Sequence, residues 1–195
     1  MDKTARVFVT ELKPEDMPGF LAWGRHEDLR FLHYNFPDIP EDQLADWYRA
    51  KRAPLFRWLY AAKDAQGALL GYMTVKSINW FTRRAELGIV FDPARLSQGY
   101  GTEAMIAFLR VYFHQRQMRE LRLRVAVFNG RALKAYQKVG FEISDTQAEP
   151  FEEQGRNFDL MLRHPQDFTM KGPVLMARFH LMRITRARFE ALHGK

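Results

Sequence analysis

Cysteine is absent from all 195 residues, which excludes disulfides, thiolate metal sites and a cysteine nucleophile together. The six histidines, His26, His33, His114, His164, His180 and His193, are scattered. None stands four residues from another, the spacing of a helical zinc pair, so no metal site is expected. There is no uncharged apolar run of the roughly 18 residues that a membrane span requires. The opening MDKTARVFVTELKPED mixes charges with apolar residues and lacks the apolar stretch of a secretory leader. These absences predict a cytoplasmic chain with no membrane partner. Internal repeats and low-complexity segments are missing too.

What is present fits one domain with a full core. Hydrophobic residues make up 47% and charged residues 27%, with 16 phenylalanines and four tryptophans for burial. The net charge of +7 is unevenly spread. Residues 166–195 hold Lys171, Arg178, Arg183, Arg186, Arg188 and Lys195 against Asp167 and Glu190, so this short tail supplies +4 of it. A basic tail can be a solvated surface, or it can touch RNA, a ribosome or another acidic partner. The division expected is a main domain over 1–165 and a basic C-terminal extension over 166–195.

Periodicity gives the order of elements. Arg6–Leu12 alternates as a strand. Lys13–Gly24 and Pro40–Arg52 open on proline and acids, the grammar of helix starts. Leu55–Ile78 reads as two strands joined by a turn at Lys63–Gly67. Ala85–Phe91 is nearly continuously apolar, which predicts a central strand. Met105, Phe108, Leu109, Tyr112 and Phe113 recur at helical spacing. Leu121–Val127 alternates as a strand, and Ala132, Ala135, Tyr136 and Val139 mark a short helix stopped by Gly140. Phe141–Ile143 and Asn157–Leu162 are expected as the last strands. Beyond Pro165 the pattern leaves strand and helix both open.

Between the central strand and the following helix lies SQGYGTEA, residues 97–104. Amides at a helix start have no partner within the helix and point outward together. Gly99 and Gly101 permit positive φ and keep side chains out of a ligand's way. The loop suits a phosphate or diphosphate, although glycine pairs also serve ordinary turns. It lacks the Gly-Lys-Ser/Thr ending of a nucleoside-triphosphate loop. It also lacks the third glycine of a dinucleotide fingerprint, where Glu103 and Ala104 stand.

AELGIVFDPARLSQGYGTEA, then a strand, then VFNGRALKAYQKVGFE, together resemble the GCN5-related N-acetyltransferases (GNAT). That signature has a glycine loop after the central strand and, later, Asn129, Ala132, Tyr136, Lys138, Gly140 and Phe141 in register. The resemblance covers roughly residues 5–163. It implies an α/β (α+β) fold, with a mixed, mostly antiparallel central sheet flanked by helices. One departure is Leu96, where the signature carries arginine or glutamine; Arg95 and Gln98 stand beside it.

The resemblance further implies acetyl-CoA as the ligand and transfer of its acetyl group to a primary amine. Its diphosphate would lie on the amides of Gln98, Gly99, Tyr100, Gly101 and Thr102. Its arm would run along Ile89, Val90 and Phe91, with Asn129 and Lys138 nearby and an amide near Phe91 polarising the thioester. Tyr136 matches the family's acid beside the sulfur; on periodicity alone it is a core aromatic. Asn129 also reads as an ordinary helix cap. Glu86 is the candidate base, or else a strand-end partner of Arg83 or Arg84. The acceptor would enter by residues 24–43, where Glu27, Asp28, Asp38, Glu41 and Asp42 mix with Phe31, His33, Tyr34 and Phe36. Acids beside aromatics suit a cation. The spermidine acetyltransferases and the ribosomal-protein alanine acetyltransferases are the branches closest in layout, so a small amine, a polyamine and a basic peptide N-terminus are all open. A module of the same fold that only binds CoA or nucleic acid is the alternative, and extra C-terminal strands offer a route to a homodimer.

Overall fold

The computed structural model describes residues 6–52 and 57–194. Leu55 and Phe56, expected at the start of a strand, lie outside the described residues, as does Lys195 of the basic tail. Eight strands form one sheet: β1 (Val7–Glu11), β2 (Trp58–Asp64), β3 (Leu69–Asn79), β4 (Arg84–Phe91), β5 (Glu120–Ala126), β6 (Glu142–Pro150), β7 (Phe168–Lys171) and β8 (Val174–Thr185). Their order is β1-β2-β3-β4-β5-β8-β6, with β7 paired to β8. Only β4 and β5 run parallel; every other pair is antiparallel. The fold is thus the mixed, mostly antiparallel sheet with helices that the family resemblance implied.

The helices follow local chemistry. Lys13–Gly24 does not become an α-helix: Pro14–Ala22 winds as a 3₁₀ segment with Pro18 inside it, because proline removes an amide donor and crowds the preceding turn. A second 3₁₀ segment spans Leu29–Tyr34, and α1 is Leu44–Arg52. Helix α2 (Tyr100–Arg110) runs into a π turn over Val111–Gln115. All five of its periodic apolar residues are buried beneath the sheet. Helix α3 (Gly130–Val139) ends at Gly140, whose φ of +113° completes the left-handed cap.

The C-terminal part corrects the sequence reading. Asn157–Leu162 is not a strand; it lies in helix α4 (Asn157–Arg163). Its every-other-residue pattern of Phe158, Leu160 and Leu162 misleads. Only Leu160 is buried, while Phe158 is 78% and Leu162 67% exposed. The strand place beside β5 is taken instead by β8, twelve residues long. Leu175, Ala177 and Phe179 go into one buried cluster, and Met182 and Ile184 into the main core on the other face. Of the described residues past Pro165, β8 is therefore built into the sheet between β5 and β6, β7 pairs with β8, and helix α5 (Arg186–His193) follows. Their cations are partly engaged: Arg186 pairs with Glu190, and Arg188 with Glu142 and the Gly140 carbonyl.

Candidate functional site

Two neighbouring parallel strands that part company leave backbone groups without partners. Strands β4 and β5 pair only over Arg84–Glu86 and Glu120–Arg122. Beyond that point β4 stays with β3, through Gly88↔Thr74 to Phe91↔Gly71, and β5 stays with β8 to Ala126. A slot opens between them. Gly71 helps to shape it: a β-carbon there would stand 2.7 Å from the Phe91 ring, so only glycine lets that ring pack down.

The glycine loop closes one end of the slot. Buried Asp92 follows β4, and its Oδ1 accepts from the Ala94 N–H at 2.9 Å and the Gly24 N–H at 2.8 Å. One carboxylate thus ties the loop to the N-terminal segment. The chain then turns through Ser97 (φ +61°) and Gly99 (φ +88°) into α2. The Gly99 carbonyl accepts from the Thr102 and Glu103 amides at 3.1 and 3.2 Å. The Thr102 N–H, expected to hold an anion, is therefore used within the helix; the amides of Tyr100 and Gly101 precede the first helical acceptor. Arg6 braces the loop from outside, ion-paired with Glu103, bonded to the Gln98 carbonyl at 3.3 Å and lying 5.0 Å over the Tyr100 ring.

A cavity of about 220 Å³ occupies the slot. Of the residues expected at the site, it is lined by Ile89, Val90 and Phe91 of β4, by Gly99, Gly101 and Thr102, and by Asn129 and Tyr136. Asn129 is nearly buried and caps α3, its Oδ1 accepting from the Ala132 N–H at 3.2 Å. Both of its readings are compatible, since the capping side chain also faces the cavity. Tyr136 packs 6.0 Å from the Phe141 ring, and burial pushes its hydroxyl well above the ordinary phenol range. Tyr34, on the same cavity, is pushed up to about 12, again by burial.

Three of the expected cofactor residues are not among those lining the cavity. Gln98 and Tyr100 do not line the cavity, and the Gln98 side chain donates to the Ala94 carbonyl at 3.3 Å. Lys138 stands exposed on the outer side of α3. Arg95 and Leu96 both line the cavity, so a cation stands beside the position where the signature carries arginine or glutamine. The sequence reading missed His26, Arg124 and Arg131, which also line it. Burial lowers the His26 and Arg131 values below their ordinary ones. His26 fell inside the stretch expected to admit the acceptor. Arg124 left one trace, a charge in mid-strand between apolar neighbours.

Glu86 faces the other way. Its neighbours Ala85 and Leu87 are in the main core, so alternation turns Glu86 to the opposite side of the sheet. There it pairs with Lys76, 2.9 Å away and directly opposite on the adjoining strand β3, and not with Arg83 or Arg84. It lines a second hollow with Arg122, Arg183 and Glu149. Arg124 belongs to both hollows, stacked 4.5 Å over Phe179 and ion-paired with Glu149 and Glu152. The two hollows thus meet at Arg124.

Residues 6–142 match the family described as the acetyltransferase (GNAT) domain. The spermidine N(1)-acetyltransferase of Vibrio cholerae serotype O1 is 28% identical over 145 residues, which are 68% of this chain and 84% of that protein. The solved structure of the Vibrio cholerae spermidine N-acetyltransferase with CoA and spermine superposes with a TM-score of 0.68 at 19% identity, covering 95% of this chain and 99% of that one. A chimera built from the same enzyme gives a TM-score of 0.68 at 18% identity, over 94% and 98% of the two chains. At these identities the solved structures speak for the fold.

Proposed function

The chain belongs to the GNAT acetyltransferases, enzymes that use acetyl-CoA as donor, and from that premise we propose how its own residues carry acetyl transfer to a primary amine. The supporting observation is the β4–β5 slot, with the glycine loop at one end and the Tyr136 phenol on its wall. Acetyl-CoA fits what is there: loop amides and Arg95 for the diphosphate, and an unpaired strand edge at Ile89–Phe91 for an amide-bearing arm. When bound it supplies an activated acyl thioester.

Two protons must be managed. An alkylamine has a pKa near about 10 and must lose a proton before it can attack. In this proposal the proton leaves to Glu86, directly or through water, from the face opposite α3. The N–C bond forms, the C–S bond breaks, and the electron pair leaves on sulfur. The Tyr136 hydroxyl, kept protonated by burial, donates to that sulfur; the same desolvation raises the affinity of the departing thiolate for a proton. A backbone N–H on the open edge of β4 near Phe91 polarises the carbonyl.

Spermidine, the acceptor in the name of the Vibrio relative, and short peptide N-termini are the first amines to try. The same reading puts the chain in the cytoplasm; among the described residues no helix is long and apolar enough to cross a membrane. Thiol release from acetyl-CoA across a panel of amines tests the proposal. At least one amine is expected to raise turnover well above hydrolysis. If none does while CoA still raises the melting temperature, the chain is a CoA-binding module and the proposal fails.

A further inference from the structure

One rung of the sheet crosses five strands on the face that carries Glu86. The registers Lys76↔Glu86, Glu86↔Arg122, Arg122↔Arg183 and Arg183↔Glu142 place Lys76, Glu86, Arg122, Arg183 and Glu142 side by side on β3, β4, β5, β8 and β6. The charges run plus, minus, plus, plus, minus. Like charges directly opposite on neighbouring strands are destabilising, so the central Arg122–Arg183 pair stands out.

The pairing of the other charges sharpens this. Glu86 is taken by Lys76, Glu142 by Arg188, and nearly buried Glu120 by Arg122 and Arg84. Arg183 is exposed and has no carboxylate within ion-pair distance among the described residues. The hollow over this rung takes in all of its members but Glu142, and its charged lining is Lys76, Arg84, Arg122, Arg124 and Arg183 against Glu86 and Glu149. Its wall is cationic where a polyamine would need carboxylates.

We propose that the acceptor is an amine that also carries a carboxylate or phosphate, its anionic group held between Arg122 and Arg183. This deepens the proposed function and rests on it. Guanidinium groups present forked donors that match both anions. Neighbouring strands lie about 4.8 Å apart, so the arginine pair begins one strand away from Glu86. An acid group there leaves the amine of a small molecule beside Glu86 and the mouth of the slot. The substrate class is then amino acids, amino-acid-like amines or phosphorylated amines, in place of polycations.

Matched acceptors test this. An ω-amino acid, its carboxamide, its decarboxylated amine, phosphoethanolamine and spermidine are compared by kcat/KM in thiol release with the wild-type chain and with Arg183→Ala and Arg183→Glu. The acids are expected to exceed their neutral counterparts, and the better of carboxylate and phosphate identifies the group. Losing a hydrogen-bonded charge contact corresponds to about 10–100-fold, so Arg183→Ala should raise the KM for the acidic amine by at least about tenfold. Arg183→Glu should shift preference toward spermidine, and a CoA-induced rise in melting temperature shows that each variant is folded. Higher kcat/KM for spermidine or for the neutral amines overturns this proposal and leaves acetyl transfer standing. Equal KM in the Arg183 variants overturns it as well. Turnover with no amine at all counts against the proposed function itself.

Discussion

Tyr136 and Gly101 face the same cavity, and the proposed reaction gives them separable roles. The phenol has its proton held by burial, so it is a hydrogen donor throughout the neutral and mildly alkaline range. Tyr136→Phe removes one oxygen and keeps the ring against Phe141. Proton donation of this kind contributes typically about 10²–10⁴-fold. Steady-state kinetics on Tyr136→Phe should therefore show kcat down by about a hundredfold or more, with the KM for acetyl-CoA changed little. An unchanged kcat removes Tyr136 from the chemistry. Gly101 is different because its φ is ordinary and a β-carbon there would meet only the Phe91 ring, at 3.8 Å. Gly101→Val is thus tolerated by the fold yet fills space that a diphosphate needs. It should melt near the parent temperature and lose the rise that CoA gives the parent. A full CoA-induced rise in that variant would mean the loop does not hold the ligand.

The elements nearest the slot were legible because their signals are local. A capping asparagine, a stop glycine and a run of helical spacing fix α3 within a dozen residues, and the glycine loop and β4 lie equally close together in sequence. Strand β8 was not legible, since its place depends on β5 and β6, and β5 is some fifty residues away. Pairing register is invisible in a sequence read alone, so the Arg122–Arg183 rung could not be foreseen. Asn157–Leu162 failed for the reverse reason: a local two-residue period was trusted where only Leu160 finds a core. The place of β8 makes a direct prediction about residues 166–195. It pairs with all of Glu120–Ala126 on one side and with β6 on the other, and carries Phe179, Met182 and Ile184 into the interior. A chain ending at Pro165 loses all of this and also Phe189, which packs 5.6 Å from Phe113. It should show no cooperative thermal transition by circular dichroism. A sharp transition from that fragment would support the division into a 1–165 domain and a C-terminal extension.

Across the whole molecule, burial of tyrosine sets a limit on alkaline stability. Of the seven tyrosines, Tyr34 and Tyr72 are pushed up to about 12 by burial, and burial also raises Tyr60, Tyr112 and Tyr136. In the unfolded chain each would titrate near about 10. Below that pH both states hold the phenolic protons and stability is intact. Above it the unfolded chain ionises first, binds fewer protons and gains ground, by about 1.4 kcal/mol per pH unit for each such group. Several groups acting together consume a stability of about 5–15 kcal/mol within one to three pH units. Tyrosinate absorbance and far-ultraviolet circular dichroism, followed together, should therefore change in one step between about pH 10 and 12. Tyr34 and Tyr136 line the ligand cavity, so CoA, which binds only the folded chain, should move that step to higher pH. Gradual ionisation of these phenols near pH 10 with the helices intact would show that the cavity wall is wet. The protonated Tyr136 on which the proposed chemistry relies would then have lost its physical basis.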